Sequence, residues 1–476
     1  MINKKLLLII FLALALRFSV FPFIASHKER MFTMLDSYEY DGMAMSLVED
    51  HRFYQPEPTF YFPPQYRIPL FEVRTPTDAF RAPVYPLFLA GIYSLFGHKP
   101  YAAIIFQLIL SSLTCILVYY MGEVFIRRGV GFMAGLLLAL GFPTAIYGNL
   151  IMPDMLFTFL FLASIYFVLK FHREDKRKYL VYSAILLGAS ALCRLVILYF
   201  AFAMVLFFIV IYRRNLVRAL LNYCLYILIF LAAVSPWAIR NYVVYDALSL
   251  SITQGGNLLF YNAAYLEAHK RGGYEHLDVV REEMQEETDR MFAERGISSP
   301  FEKAKIYQEL AVERILADPG LYAKIHLIGA LKIFATPTFL LPERIFGVPL
   351  DESIAMAKGK SLLTEGFFKA SRDLASYFLQ NWRLLLYLPF LLLYLLVLYF
   401  FVGYGLYQTG RNKNLGSIFF LFLLIIVYNA LIVGQHGAAR FRIPLMPYID
   451  LIAAYGLFQL IFLRRKRRRK AVSRNE

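Results

Sequence analysis

The chain has 476 residues, of which 59% are hydrophobic, 17% aromatic and only 18% charged, with a mean hydropathy of +0.53. A soluble globular protein carries a larger charged share, so the composition excludes that class and predicts a polytopic membrane protein. The net charge of +16 does not call for nucleic acid, because the basic residues sit in short loops between apolar runs and in one tail, as the positive-inside bias requires.

Lys4 and Lys5 precede an apolar run from Leu6 to Leu16, and the apolar sequence continues past Arg17 to Ala25 without an A-x-A-type site. This reads as an uncleaved first span. The stretch DSYEYDGMAMSL, Asp36 to Leu47, follows it. If a helix begins at Asp36, then Tyr40, Ala44 and Leu47 return to its face and an acid is held at the membrane surface. Asp36 with Glu39 three residues on is also a capping pair, and the two roles are compatible.

Ten runs are apolar enough to span: Leu6–Ala25, Ala102–Ile126, Val130–Tyr147, Met155–Phe171, Tyr179–Cys193, Leu195–Tyr212, Val217–Trp237, Leu384–Tyr407, Ser417–Gly434 and Ile443–Leu463. The expected fold class is therefore all-α, a polytopic transmembrane helix bundle. Val84–Phe96, opened by Pro83 and Pro86, and His326–Leu341, interrupted by Pro337, are shorter and read as interfacial or re-entrant helices.

Leaving those two out places Arg127 and Arg128, Lys170 to Lys178, Arg213, Arg214 and Arg218, Arg411 and Lys413, and the tail Arg464 to Lys470 on one side, the inside. Residues 1–463 then form one membrane domain and 464–476 a basic cytoplasmic tail, with attraction to anionic lipid. Both termini are expected inside. The outer face carries an aromatic, proline-rich loop (27–82), a second loop (240–383) with a charged helical stretch near Val279–Asp318, and QHGAARFR from Gln435 to Arg442. Cys115, Cys193 and Cys224 all lie in apolar segments, so no disulfide framework is expected.

The acids nearest the outer face are Asp36, Glu39, Asp41 and Asp154. Asp154, in IMPD, is well placed as an N-cap of the span that follows. Two carboxylates converging from different loops would also suit activation of a hydroxyl, Asp36 as base and Asp154 beside it, with Asp41 the alternative base. Arg81, Arg240, Arg440 and Arg442 stand at span ends beside proline and aromatic residues. There they can anchor headgroups by snorkelling or offer paired donors to a phosphate. Arg17 and Arg194 lie inside apolar runs, at a cost of about 2.5–3.5 kcal/mol on insertion scales, where structural pairing and function are both open. The eight histidines have no metal-ligand spacing, and no P-loop or dinucleotide fingerprint occurs, so neither a metal nor any other cofactor is expected.

Several blocks in this order and spacing resemble the GT-C superfamily of integral-membrane glycosyltransferases, in its dolichyl-phosphate-mannose–protein mannosyltransferase and RgtA/B/C/D-like branch. They are DSYEYDGMA (Asp36–Ala44), RAPVYPLFLAGIYSLFG (Arg81–Gly97), IIFQLILSSLTCILVYYMG (Ile104–Gly122), IMPDMLFTFLF (Ile151–Phe161), LLGASALCR (Leu186–Arg194), SPWAIRNYVVY (Ser235–Tyr245) and ARFRIPLMPYIDLIAAYG (Ala439–Gly456).

The resemblance implies inverting transfer of a sugar from a polyprenyl-phosphate carrier to an extracytoplasmic acceptor at the plasma (inner) membrane, without a nucleotide. It maps the catalytic base to Asp36, a second acid to Asp154, and phosphate-binding arginines to Arg81, Arg240 and Arg440 or Arg442. Tyr40, Asp41, Tyr85 and Asn241 complete the expected substrate-binding set. Only residues 464–476 follow the last span, so the large C-terminal soluble domain of some relatives is not expected, and the acceptor does not carry over. The rival reading is a lipid or lipid-linked-sugar transporter or flippase, since intramembrane charges also mark transport paths. Acids and arginines crowded on one face favour surface chemistry over alternating access, and over an assembly scaffold.

Overall fold

Inside a bilayer a segment must satisfy its own backbone polar groups, which makes a long apolar run a helix. The computed structural model describes residues 3–26, 28–32, 35–54, 79–335, 382–411 and 415–475, and these form helices joined by turns, with no strand among the described residues. Among the described residues, seven helices are long and apolar enough to cross a membrane: Lys4–Ala25, Pro100–Ile126, Asp154–Glu174, Leu216–Tyr245, Leu392–Gly410, Gly416–Val433 and Ala439–Phe462. The chain is a multi-pass, all-α membrane protein.

These seven match seven of the ten expected spans. The other three are shorter. The run Val130–Tyr147 divides into Val130–Ala139 and Phe142–Tyr147, because Gly141 and then Pro143 close one helix and open the next. The run Tyr179–Cys193 forms the helix Arg177–Ala191. The run Leu195–Tyr212 forms a 3-10 turn, Leu195–Ile197, followed by the helix Phe200–Ile211. Val84–Phe96 is a 13-residue helix, as expected. The segment His326–Leu341 belongs to the helix Pro319–Ala335 up to Ala335, and its residues 336–341 lie outside the described residues. Residues 55–78 of the first loop and 336–381 of the second also lie outside them.

The last span is deeply packed in the bundle, with Tyr448, Leu451, Ile452 and Tyr455 buried along it. It crosses the Trp382–Gly410 helix at Gly405 and Gly456, where a side chain on either would collide with the opposing backbone. Small residues permit such a crossing where lipid offers no hydrophobic drive to pack. The charged stretch near Val279–Asp318 forms two helices, Leu277–Arg295 and Pro300–Ala317. Leu277, Val280, Met284 and Ala311 there join Leu259, Ala263 and Ala264 in a second, smaller apolar cluster.

Arg17 resolves as a structural pin. Its Nε donates to Ser111 Oγ at 2.7 Å, Nη1 to the carbonyls of Ala13 and Ala139 at 3.2 and 3.1 Å, and Nη2 to the Leu138 carbonyl at 3.3 Å. Leu138 and Ala139 end the Val130–Ala139 helix, so the guanidinium supplies donors where the helix leaves carbonyls orphaned. Asn149 then donates to the carbonyl of Arg17 itself at 3.1 Å, tying the turn before Asp154 to the first span.

Candidate active site

Five segments meet at one end of the bundle, and those of Asp36, Arg81, Asp154 and Arg194 are tied to a neighbour through a backbone group. The Leu35–Glu49 helix is held by Ile151 N–H donating to the Met31 carbonyl (3.0 Å) and by Ser37 Oγ donating to Met152 Sδ (3.3 Å). Gln107, inside the Pro100–Met121 helix, donates to the carbonyls of Gly148 and Leu150 at 3.2 and 2.7 Å and fixes the turn that leads to Asp154. The segment carrying Arg81 is bound on both sides. Val84 N–H donates to the Leu192 carbonyl at 3.0 Å, two residues before Arg194. Ile252 N–H donates to the Ala79 carbonyl at 3.1 Å, and Ser251 Oγ to that of Phe80 at 2.7 Å.

These ties assemble a chain of six alternating charges: Glu39, Arg81, Asp36, Arg440, Asp154 and Arg194. Arg81 donates from Nε and Nη2 to Glu39 Oε2 at 2.8 and 2.5 Å, and from Nη2 to Asp36 Oδ1 at 2.8 Å. Arg440 donates from Nη1 to Asp36 Oδ2 at 3.2 Å and from Nε to Asp154 Oδ2 at 3.0 Å. Arg194 donates from Nη1 to Asp154 Oδ1. Both oxygens of Asp36 and both of Asp154 therefore face a guanidinium. Aromatic faces complete the packing: Arg81 lies over Tyr40 and Phe80, and Arg194 and Arg440 both lie against Phe441.

The acids differ in access. Asp154 is 0% and Glu39 2% exposed at the side chain, whereas Asp36 is 32% exposed. Burial would raise the Asp36 carboxyl, but the guanidiniums of Arg81 and then Arg440 outweigh it and hold the group well below the usual carboxylate range. Burial pushes the Tyr40 hydroxyl up to about 12, so it is a hydrogen-bonding group and not a base. Tyr40 and Ala44 are buried along this helix with Leu47 half-buried, and the Tyr40 ring meets Tyr85 edge-on at 4.9 Å.

The other expected site residues divide. Asp41 lies across the helix from Asp36 and is engaged there, accepting from Tyr93 Oη at 2.5 Å and facing His98 Nε2 at 2.9 Å. Tyr85 donates to Gln107 Oε1 at 2.5 Å and so supports the turn before Asp154. Arg240 lies outside the cluster, over the rings of Trp237 and Tyr245, with Nη1 donating to Asn241 Oδ1 at 2.9 Å. Asn241 in turn donates to the Ser249 carbonyl at 2.6 Å, in the same segment whose Ser251 and Ile252 hold Phe80 and Ala79. Arg442 is buried and donates to the carbonyls of Ile333 and Phe334 at 3.2 and 2.9 Å, closing the end of the Pro319–Ala335 helix. The geometry groups Arg440, and not Arg442 or Arg240, with Arg81.

Two members of the network were not in the expected set. Glu39 reads as half of a capping pair, yet its carboxylate accepts Arg81. Arg194 carried a signal as a charge inside an apolar run, and its partner proves to be Asp154. The N-cap position of the Asp154 helix is Pro153, and the Asp154 carboxylate goes to the two arginines.

The arrangement can do two things chemically. It presents terminal guanidinium nitrogens to an anion, and it holds one partly exposed carboxylate that can accept a proton once those nitrogens are drawn elsewhere. No curated protein matches the chain. Among solved structures it resembles the crystal structure of ArnT from Cupriavidus metallidurans bound to undecaprenyl phosphate, at 13% identity and a TM-score of 0.38, over 95% of this chain and 77% of that one. That likeness is too loose to carry any residue across. Residues 80–239, which include Arg81, Asp154 and Arg194, match the family described as dolichyl-phosphate-mannose-protein mannosyltransferase.

Proposed function

We propose that the protein transfers a sugar from a polyprenyl-phosphate carrier to a hydroxyl of an acceptor in the cell envelope, with inversion at the anomeric carbon. The observation that carries this reading is Asp36, a partly exposed carboxylate held between the guanidiniums of Arg81 and Arg440 at one end of a membrane bundle. The family match supports the sugar-transfer class, and its name supports a lipid-phosphate donor.

In the proposed reaction the acceptor oxygen attacks the anomeric carbon and its proton passes to Asp36. The electron pair of the breaking carbon–oxygen bond goes to the carrier phosphate, where Arg81 and Arg440 meet the growing charge. Fixed cations aimed at charge that develops in the transition state are the largest catalytic term of this kind. A phosphate is already a good leaving group, so a carboxylate accepting the proton late in the transition state suffices as base. Glu39 and Asp154 act as positioning residues, each fully buried and each fixing one arginine. We place the reaction on the extracytoplasmic face, because the basic residues Arg127, Arg213, Arg214 and Arg411 belong to the opposite helix ends and the positive-inside bias assigns those ends to the cytoplasm.

The test is release of polyprenyl phosphate by the purified, reconstituted protein from a panel of polyprenyl-phosphate sugars, wild type against Asp36→Asn. Slow release from one donor without acceptor is expected, since water can replace the hydroxyl, and the substitution should abolish it. Equal release by the wild type and Asp36→Asn would remove Asp36 from the chemistry.

A further inference from the structure

Arg81 and Arg440 divide their donors in a related way, with the difference that Arg81 Nη2 donates both to Asp36 and, at 2.5 Å, to Glu39. Each gives its Nε edge to a fully buried acid, Arg81 to Glu39 and Arg440 to Asp154. Each gives a terminal nitrogen to the same partly exposed acid, Asp36. Among the described residues, Arg81 Nη1 and Arg440 Nη2 have no hydrogen-bond partner. Two of the three acids are thus anchors, and the third is the one that solvent and substrate can reach.

Charge counting sharpens the point. Among the described residues the network sets three acids, Glu39, Asp36 and Asp154, against three arginines, Arg81, Arg440 and Arg194. A carrier phosphodiester brings one further negative charge; Arg81 Nη1 and Arg440 Nη2 can receive it first, but Arg81 Nη2 and Arg440 Nη1 are already taken by Asp36. A carboxylate whose two oxygens each accept from a guanidinium is also a poor proton acceptor. Asp36 and the two nitrogens that donate to it therefore block one another.

We propose that the donor's phosphate displaces Asp36 from Nη2 of Arg81 and Nη1 of Arg440, while Glu39 and Asp154 keep the Nε edges in place, and that this exchange is what turns Asp36 into a base. The inference rests on the transferase reading above and adds an order to it: the lipid donor binds first and the acceptor hydroxyl meets an unblocked carboxylate afterwards. The balance of the chemical step fits the exchange. As the acceptor proton reaches Asp36, its negative charge is lost, and the same charge appears on the phosphate that now holds the two terminal nitrogens. The arginines need not travel, because anchored Nε edges let only the outer nitrogens change partner.

The exchange makes an unusual demand on the inactive variant. If Asp36 competes with phosphate for the arginines, Asp36→Asn must bind a polyprenyl phosphate more tightly than the wild type while transferring nothing. Undecaprenyl phosphate titrated into nanodisc-reconstituted protein should show a gain of about tenfold in affinity, weakening with added salt. The uncharged polyprenol should bind both forms equally. Unchanged or weaker binding by a folded Asp36→Asn protein, with transfer by the wild type intact, would overturn the exchange and leave the transferase reading standing. Absence of phosphate release by the wild type from every donor would instead overturn that reading.

A second measurement needs no variant. In the wild type with labelled aspartate carboxyls, adding undecaprenyl phosphate should shift a carboxylate infrared band as Asp36 loses its guanidinium partners. An unshifted band at saturating lipid phosphate would contradict the exchange.

Discussion

Arg440 Nη1 lies 3.2 Å from Asp36 Oδ2, joining residues 404 positions apart in the sequence. Because Arg440 Nε also holds Asp154, at 3.0 Å, this one side chain links the acid after the first span to the acid opening a later one. Replacing it by lysine keeps the charge but removes the paired nitrogens that bridge two carboxylates. Arg440→Lys should cost about 10²–10³ in the rate of the chemical step, the size seen when one transition-state donor is removed. Single-turnover release of polyprenyl phosphate checks this, and a rate within a few-fold of the wild type would assign the charge to mere attraction.

Glu39 should act through Arg81. Glu39→Ala leaves the buried edge of Arg81 without its acid, and breaking a buried pair from one side costs about 3–5 kcal/mol. Glu39→Gln retains an acceptor at the same place and should recover most of the stability. With the misaligned Arg81, transfer should then fall mainly in kcat, with a smaller change in KM. A variant that loses stability alone, with kcat unchanged, would give Glu39 a purely structural role.

Asp41 and Asp36 separate cleanly. Asp41 is occupied by Tyr93 and His98 on the opposite side of the helix, whereas Asp36 faces the arginines. Asp41→Asn should therefore keep transfer within several-fold of the wild type, while Asp36→Asn abolishes it. The reverse result would exchange their roles.

The depressed Asp36 carboxyl has a consequence for stability. Its folded-state value lies below the ordinary one, so its stabilisation is complete above about pH 4 and is lost as the pH falls from there toward the folded value. The difference in thermal stability between the wild type and Asp36→Asn should be constant from about pH 7 to 5 and change only below about pH 4. A difference that varies across the neutral range would contradict the pairing with Arg81 and Arg440.

Arg17 is expected to matter for folding and not for chemistry. Arg17→Met strips donors from the buried carbonyls of Leu138 and Ala139, at about 1–3 kcal/mol for each group left unsatisfied. The yield of folded protein should drop, while the protein that does fold keeps donor binding. Loss of donor binding in that folded fraction would place Arg17 in the site.

The sequence made the helices legible because a span must be apolar for its whole length, and seven expected runs correspond to long helices. It also pointed to Asp36, Arg81, Asp154 and Arg440, as charges that follow or open apolar runs within the blocks that carry the family resemblance. Which charges meet was not legible. Arg240 and Arg442 stand at span ends like Arg440, but one packs on Trp237 and Tyr245 and the other closes a helix. Only the folding of distant helices separates the three. Glu39 was masked by its local capping pattern, and Arg194 needed Asp154 as a partner before its cost had an explanation.

The central claim is sugar transfer from a lipid phosphate by way of Asp36. Its most direct test supplies a sugar-labelled polyprenyl-phosphate donor, chosen by the release assay, to membranes containing the wild type or Asp36→Asn. Label should leave the lipid for a non-lipid-phosphate product only with the wild type, with the anomeric configuration inverted. Label that crosses the membrane still attached to its carrier, equally with both forms, would contradict it and favour transport.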